Sequence, residues 1–424
     1  MKPTAVTLTL LFIPSLAAAE NWPRFRGPTG QGVSSETNLP LKWSATENIV
    51  WKTPIPGEGW SSPVVWEKHI FLTATRDKGT SCHVLCVERD AGAILWDKEV
   101  FRQETYPIRP KNSFATPTPV TDGEHVYAVF GAGGIVALRL DGTIAWTNRD
   151  YPFHSLHGLG ASPILYKDRL VMPFDGSADP RKGEDKDLGF QKPWDRGFVV
   201  GLDKTTGKEV WKTMRGPSRL AHGTPIIIRV QDRDVVVSNG GNVVQGFDPL
   251  TGEKLWTVQS FGEGVTPSPV FADGLVIACS GFGKPTLRAI RPDGTGDVTA
   301  THIAWEQTRA LSMIPTVVAV QGHLYSITDK GIAACLETKT GTVRWEERLT
   351  GAFAASPVHA DGRVYLLSEA GETTVIEPNP SEMKVLSRNA LGENCQASMA
   401  VSQARLFIRT KEHLWCIGTA KKGE

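Results

Sequence analysis

The sequence has no excess of either charge: 46 Lys and Arg stand against 45 Asp and Glu, a formal net charge of +1. A nucleic-acid binder needs a strongly basic face, so no nucleic acid is expected as a partner. No apolar run is long enough for a membrane span; the longest, residues 5–16, is short and interrupted by Pro14. The short signatures of common chemistries are missing too, with no G-x-S-x-G elbow, no P-loop and no H-E-x-x-H. The GAGG at residues 131–134 sits between two strand-like runs and lacks the following helix of a dinucleotide site. Six cysteines (82, 86, 279, 335, 395 and 416) form no CxxC and no Cys/His zinc spacing. No catalytic residue and no metal ligand are assigned.

What is present is a repeat. Residues 201–211 read GLDKTTGKEVW: an apolar strand, a Thr-Gly turn and a second strand ending on Trp211. The device returns at 246–256, 335–345 and 86–96, more loosely at 138–146, and at 289–305, where the turn has grown to PDGTGD. The turn glycine supplies positive φ, and the Trp gives the second strand a large apolar surface to bury. The ladder Trp51, Trp96, Trp146, Trp211, Trp256, Trp305 and Trp345 recurs at the spacing of four-stranded propeller blades. These tryptophans are expected to be structural. Each unit opens on a Ser/Thr-Pro strand, at Ser62, Thr118, Ser162, Thr224, Ser268, Ile314-Pro315 and Ser356, with Ser398-Met399 as an eighth. Pro fits a strand's first residue because it need not donate to the ladder there.

The last unit stops after its third strand, at residues 414–417, and residues 48–55 offer the missing fourth. The fold expected is therefore all-β, an eight-bladed β-propeller closed by pairing of the N-terminal strand with the C-terminal blade. Seven blades is the alternative, since Ser387 stands where the Trp of the unit at 356–390 belongs. The motif resembles the tryptophan-docking repeat of the PQQ-like propellers. That family includes quinoprotein dehydrogenases and the lipoprotein subunit of the outer-membrane β-barrel assembly machinery, and the resemblance covers nearly the whole chain after its leader.

Residues 1–19 read as a signal peptide: Lys2, an apolar core, then Ala17-Ala18-Ala19. Cleavage near Ala19 predicts a periplasmic or secreted protein, expected to be a soluble monomer without a transmembrane span; no Cys follows the core to make a lipobox. Residues 20–47, rich in Gly and Pro, are expected to strap across the outside of the disc, with the propeller occupying 48–424. In an exported chain disulfides are permitted. Cys86 and Cys335 share a repeat position with Gly201 and Gly246, which points to packing, with a Cys82–Cys86 bridge as the exception. An insertion in the third blade, residues 175–197, is charged and patternless: a solvated loop, or a lid or partner-contacting arm on the face where propellers hold ligands.

Any site should lie at the channel mouth, lined by the segments before each Ser/Thr-Pro. The candidates are Glu58, Trp60, Asn112, His157, His222, Glu263, Arg309, Asn394 and Gln396, polar groups converging with an aromatic among them. His154, His157, His222 and Glu263 come from three successive blades, but nothing in their spacing brings them to one point. The resemblance implies two functions. One is a non-catalytic binding or scaffolding protein of the cell envelope, with no cofactor and an envelope protein or polymer as partner. The alternative is a PQQ-dependent quinoprotein oxidoreductase acting on an alcohol or sugar. Such enzymes typically add an adjacent Cys-Cys disulfide, a Ca²⁺ held by acidic and amide side chains, and an Asp base. This sequence has no adjacent Cys pair. Exposed aromatics such as Trp60 and Trp194 also fit a sugar- or polymer-binding propeller.

Overall fold

A computed structural model describes residues 20–283, 285–309 and 311–419. The expected signal peptide lies outside the described residues. The chain forms eight antiparallel four-stranded blades in a ring. Their innermost strands begin at Val64, Val120, Ile164, Ile226, Val270, Val318, Val358 and Ala400. The outer strand of blade 8 is Ile49–Pro54, antiparallel to His413–Ile417, with Trp51 opposite Cys416. The ring is thus closed by chain segments from its two ends, and no blade is left with three strands.

The docking tryptophans are fixed by two glycine-sized gaps. In blades 3, 4, 1 and 6 the Trp lies opposite a small residue on the third strand: Gly201 for Trp211, Gly246 for Trp256, Cys86 for Trp96 and Cys335 for Trp345. A Cβ on Gly201 would meet Trp211 at 2.2 Å. On the other side the ring covers the turn glycine of the next blade, as Trp146 covers Gly207 (φ 70°) and Trp211 covers Gly252 (φ 73°). There Gly answers both the left-handed backbone and the lack of room for any side chain. The indole N–H then donates to the next blade's backbone, Trp51 to Arg89 O, Trp96 to Leu140 O and Trp345 to Asn379 O, at 2.8–2.9 Å. Trp256 departs from this. The long turn of blade 5 lays Gly296–Asp297 parallel to its strand, and its Nε1 is buried without a partner. All six cysteines are free and buried, so the Cys82–Cys86 bridge does not form.

Two expectations are corrected. Blade 6 opens on Thr316, not on Ile314-Pro315, because the hydroxyl rather than the proline is the invariant part of the device. In every blade the backbone N–H of this Ser or Thr donates to the hydroxyl of its counterpart in the next blade. Ser62 donates to Thr118, and so on through Ser162, Thr224, Ser268, Thr316, Ser356 and Ser398, which donates back to Ser62, all at 2.9–3.1 Å. The second correction concerns the strap. Its first half crosses the channel rather than the outside of the disc. Trp22 pairs with Val65 of blade 1, Pro23 O accepts from Thr121 of blade 2, and Gln31 reaches Phe271 of blade 5. Between them the buried Arg26 donates to Val317 O of blade 6 (2.8 Å), Pro357 O of blade 7 (3.3 Å) and Gln31 O (2.7 Å).

The second half of the strap does run outward, along blade 7. Ser387, the residue in place of a Trp, donates to Leu41 O at 2.6 Å. Trp43 is 3% exposed and stacks on Tyr365 (centroids 6.4 Å, 26°). In blades 1 and 6 the same second-strand aromatic, Phe71 or Tyr325, meets that blade's own docking Trp. Blade 7 therefore receives its tryptophan from the strap, which is why an eighth-of-a-ring unit without one still packs.

Candidate functional site

The channel holds a cavity of about 450 Å³ with Phe25 of the strap among its lining residues. Its wall is tiered. The lower tier is the hydroxyl ring, seven of whose eight members line the cavity. The upper tier takes one residue per blade, always two before the hydroxyl: Trp60, Thr116, Gly160, His222, Thr266, Ile314, Ala354 and Gln396. Side chains two apart in extended chain point the same way, so the tier follows from the ring. Above it the inter-blade loops bring in Asn112, His157 and Glu263, with Lys111, Phe190, Phe282 and Glu369.

Six of the nine residues expected at the mouth are thus together: Trp60, Asn112, His157, His222, Glu263 and Gln396. Three are not. Glu58 is exposed and its backbone pairs with Thr75, Arg309 is exposed and held by Glu346 (2.6 Å), and Asn394 is exposed while its carbonyl accepts from Lys411. Each stands outside the offset that faces the channel. The sequence reading missed Thr116, Thr266, Ile314 and Ala354 because they are small or apolar; alignment on the hydroxyl would have found them. It missed Phe190 because the insertion follows no repeat.

The charged groups at the mouth are engaged. Glu263 lies 3.3 Å from Arg219, which also donates to Asn242, and Glu369 pairs with Lys111 at 2.7 Å. The imidazoles are held neutral. Burial pulls His222 down to about 3, with His157 adding to the effect, and burial with Arg109 nearby lowers His157. The Asn112 amide donates to His157 Nδ1 at 2.9 Å, which leaves the proton on Nε2. The two rings meet edge to face, centroids 5.7 Å apart. Among the described residues neither nitrogen of His222 has a partner, although the residue is only 9% exposed. Its ring faces room left by Gly160, where a Cβ would lie 2.9 Å from its own. A buried imidazole with both nitrogens open, in a cavity of this size, is a hydrogen-bonding group without an occupant from the protein. Among the described residues no three His, Cys, Asp or Glu converge as metal ligands, and no Asp lines the cavity. No helix among them is long and apolar enough to cross a membrane.

No curated protein matches the sequence. Among solved structures, a europium-containing methanol dehydrogenase superposes with a TM-score of 0.70 at 11% identity, covering 94% of this chain and 98% of that one. BamB from Moraxella catarrhalis superposes with 0.59 at 15% identity, over 89% and 98%. A computationally designed protein gives 0.60 at 11%, over 86% and 98%. At such identities the likeness is one of fold, shared by a dehydrogenase, BamB and a designed protein. A family profile is more specific: the one described as outer membrane protein assembly factor BamB matches residues 44–185, 195–315 and 287–386. Its matches take in seven of the eight inner strands and most of the propeller, and the chain belongs to that family.

Proposed function

We propose that the protein is an exported, non-catalytic binding and scaffolding protein of the cell envelope that engages an envelope protein or polymer at the channel mouth. The state of the ionisable groups there carries the reading. Both carboxylates are already held by cations, both imidazoles are neutral, and the remaining lining offers apolar surface and amide or hydroxyl groups. That composition suits recognition. The alternative needs acidic and amide ligands converging on Ca²⁺, an Asp base and paired cysteines beside the quinone. The residues present do not fit it: Glu263 and Glu369 would first have to leave their cations, and the cysteines are buried and dispersed. The family's description as an outer-membrane assembly factor favours a protein partner in the envelope.

The test sets the two readings side by side. PQQ with Ca²⁺ is expected to give neither stoichiometric uptake nor dye-linked oxidation of alcohols or sugars. Immobilised protein is expected to retain an envelope component, and Trp60→Ala or Gln396→Ala to weaken that retention by about 2 kcal/mol, the scale of a binding hot spot. Tight PQQ binding with dye reduction overturns the proposal.

A further inference from the structure

A second cavity, of about 660 Å³, lies between blades 2 and 3 and shares no lining residue with the first. The insertion at 175–197 walls both, giving Phe190 to the channel and Asp179, Arg181, Trp194 and Arg196 to this cleft. Its root is fixed by Arg215, which donates to the buried Asp175 carboxylate at 2.7 Å. Arg181 is held by Asp179 (2.7 Å) and Arg196 by Glu184 (2.7 Å), so the insertion is an ion-paired wall rather than a free loop.

Beneath the cleft lie Tyr151, Phe153 and Phe174, buried at 5, 7 and 3% exposure, with Phe198 stacked on Phe174 at 5.2 Å and 20°. Three cations stand around it: Arg149, Lys182 and Lys212, from blade 2, the insertion and blade 3. Among the described residues none of them has an ion pair. Lys212 Nζ lies 4.1 Å from the centre of the Phe198 ring and Arg149 lies 4.9 Å from that of Phe101, so rings now serve as partners of these two. Glu104 and Asp150, both exposed, add acceptors to the same lining.

We propose that this cleft binds an acidic oligosaccharide, a short chain of uronic-acid type, with carboxylates on Arg149, Lys182 and Lys212 and hydroxyls on Glu104 and Asp150. The volume is that of a several-ring ligand rather than a single small anion. Three separated cations call for a multiply charged occupant. Glu104 and Asp150 call for hydroxyl donors on the same molecule. A uronic acid carries an anion and several hydroxyl donors on every unit, whereas an acidic peptide segment brings a single backbone N–H with each anion.

The probe is trigalacturonate, titrated calorimetrically into the full-length mature chain, with cellotriose and hexaglutamate in parallel. Trigalacturonate is expected to bind one to one, to weaken as salt rises, and to bind above cellotriose and hexaglutamate. Lys212→Ala and Arg149→Ala are each expected to weaken it about fivefold, the loss of one charged contact, without a change in melting temperature. Lys339→Ala, a surface lysine of blade 6, is the control expected to leave binding unchanged. Equal binding of cellotriose, tighter binding of hexaglutamate, no binding of trigalacturonate, or indifference to both cation variants overturns the proposal. None of these readouts involves the central cavity, so the two sites stand or fall separately.

Discussion

The central cavity and the lateral cleft are neighbours built by opposite means. The cavity is made by repetition. Eight equivalent backbone positions deliver one residue each, and the character of that tier comes from which residue occupies each, Gly160 beside His222 for example. The cleft is made by a departure from the repeat, a segment no other blade has. A site made by repetition is welded to the fold, since in every blade one wall residue sits two positions from a ring hydroxyl. A site made by insertion can be altered or lost while the blades remain.

That contrast breaks most easily at the cavity floor. Arg26→Ala strips donors from buried carbonyls of blades 6 and 7 and of the strap, and is expected to cost about 3 kcal/mol or more. A calorimetric melting point within about 1 °C of the parent would show the strap to be a surface ornament. Next come two tryptophans. Trp43→Ala empties the docking place of blade 7 and should cost about 3 kcal/mol. Trp194→Ala, in the insertion, should cost under about 1 kcal/mol. Equal losses in denaturant unfolding would erase the distinction between welded and grafted parts.

Acid separates the regions further. His222 is held near 3 in the fold, below its ordinary value, so the unfolded chain binds the proton first as pH falls through 6.5. Stability is therefore complete above about 6.5 and declines toward pH 3, at a slope of up to about 1.4 kcal/mol per pH unit. His222→Gln should flatten the melting profile between pH 6.5 and 4; an unchanged slope would refute the buried neutral imidazole. Asp179 works in another window. Hydrogen bonds from Arg181 hold it down to about 2, so its contribution is present above the ordinary carboxylate range and is lost only as pH falls below about 4. The insertion should thus outlast the cavity in acid, as read by protease cleavage within 175–197. The smallest effect is expected from replacing 178–195 with a short Gly-Ser linker. The propeller should keep its cooperative transition, read by near-ultraviolet dichroism and calorimetry, while a collapse of the fold would contradict the grafted view.

The sequence disclosed the parts whose partners are near in the chain. A turn glycine and the Trp that follows it are a few residues apart, so the blade repeat and the eight-unit count could be read directly. Blade 7 looked degenerate because the tryptophan that completes it comes from the strap, far away in sequence. The site divides the same way. Trp60, His222 and Gln396 sit at a fixed offset in extended chain, whereas Asn112, His157 and Glu263 reach the mouth through loop paths. Glu58, Arg309 and Asn394 were placed there by position alone and turn outward. The cleft left no periodic trace, since neither its floor nor its cations obey the repeat.

Closing the ring with both ends of the chain has a consequence for how the molecule comes into being. Ile49–Pro54 is made early but has no strand to pair with until His413–Ile417 exists, and Trp43 waits for Tyr365. The hydroxyl circuit likewise returns to Ser62 only from Ser398. During synthesis the growing chain carries an unpaired strand and a homeless indole at one end for nearly its whole length. Assembly of the disc is then a late event, set by contacts of very high sequence separation and correspondingly slow. A ribosome-stalled or C-terminally clipped chain would hold seven blades' worth of residues and still present an open edge.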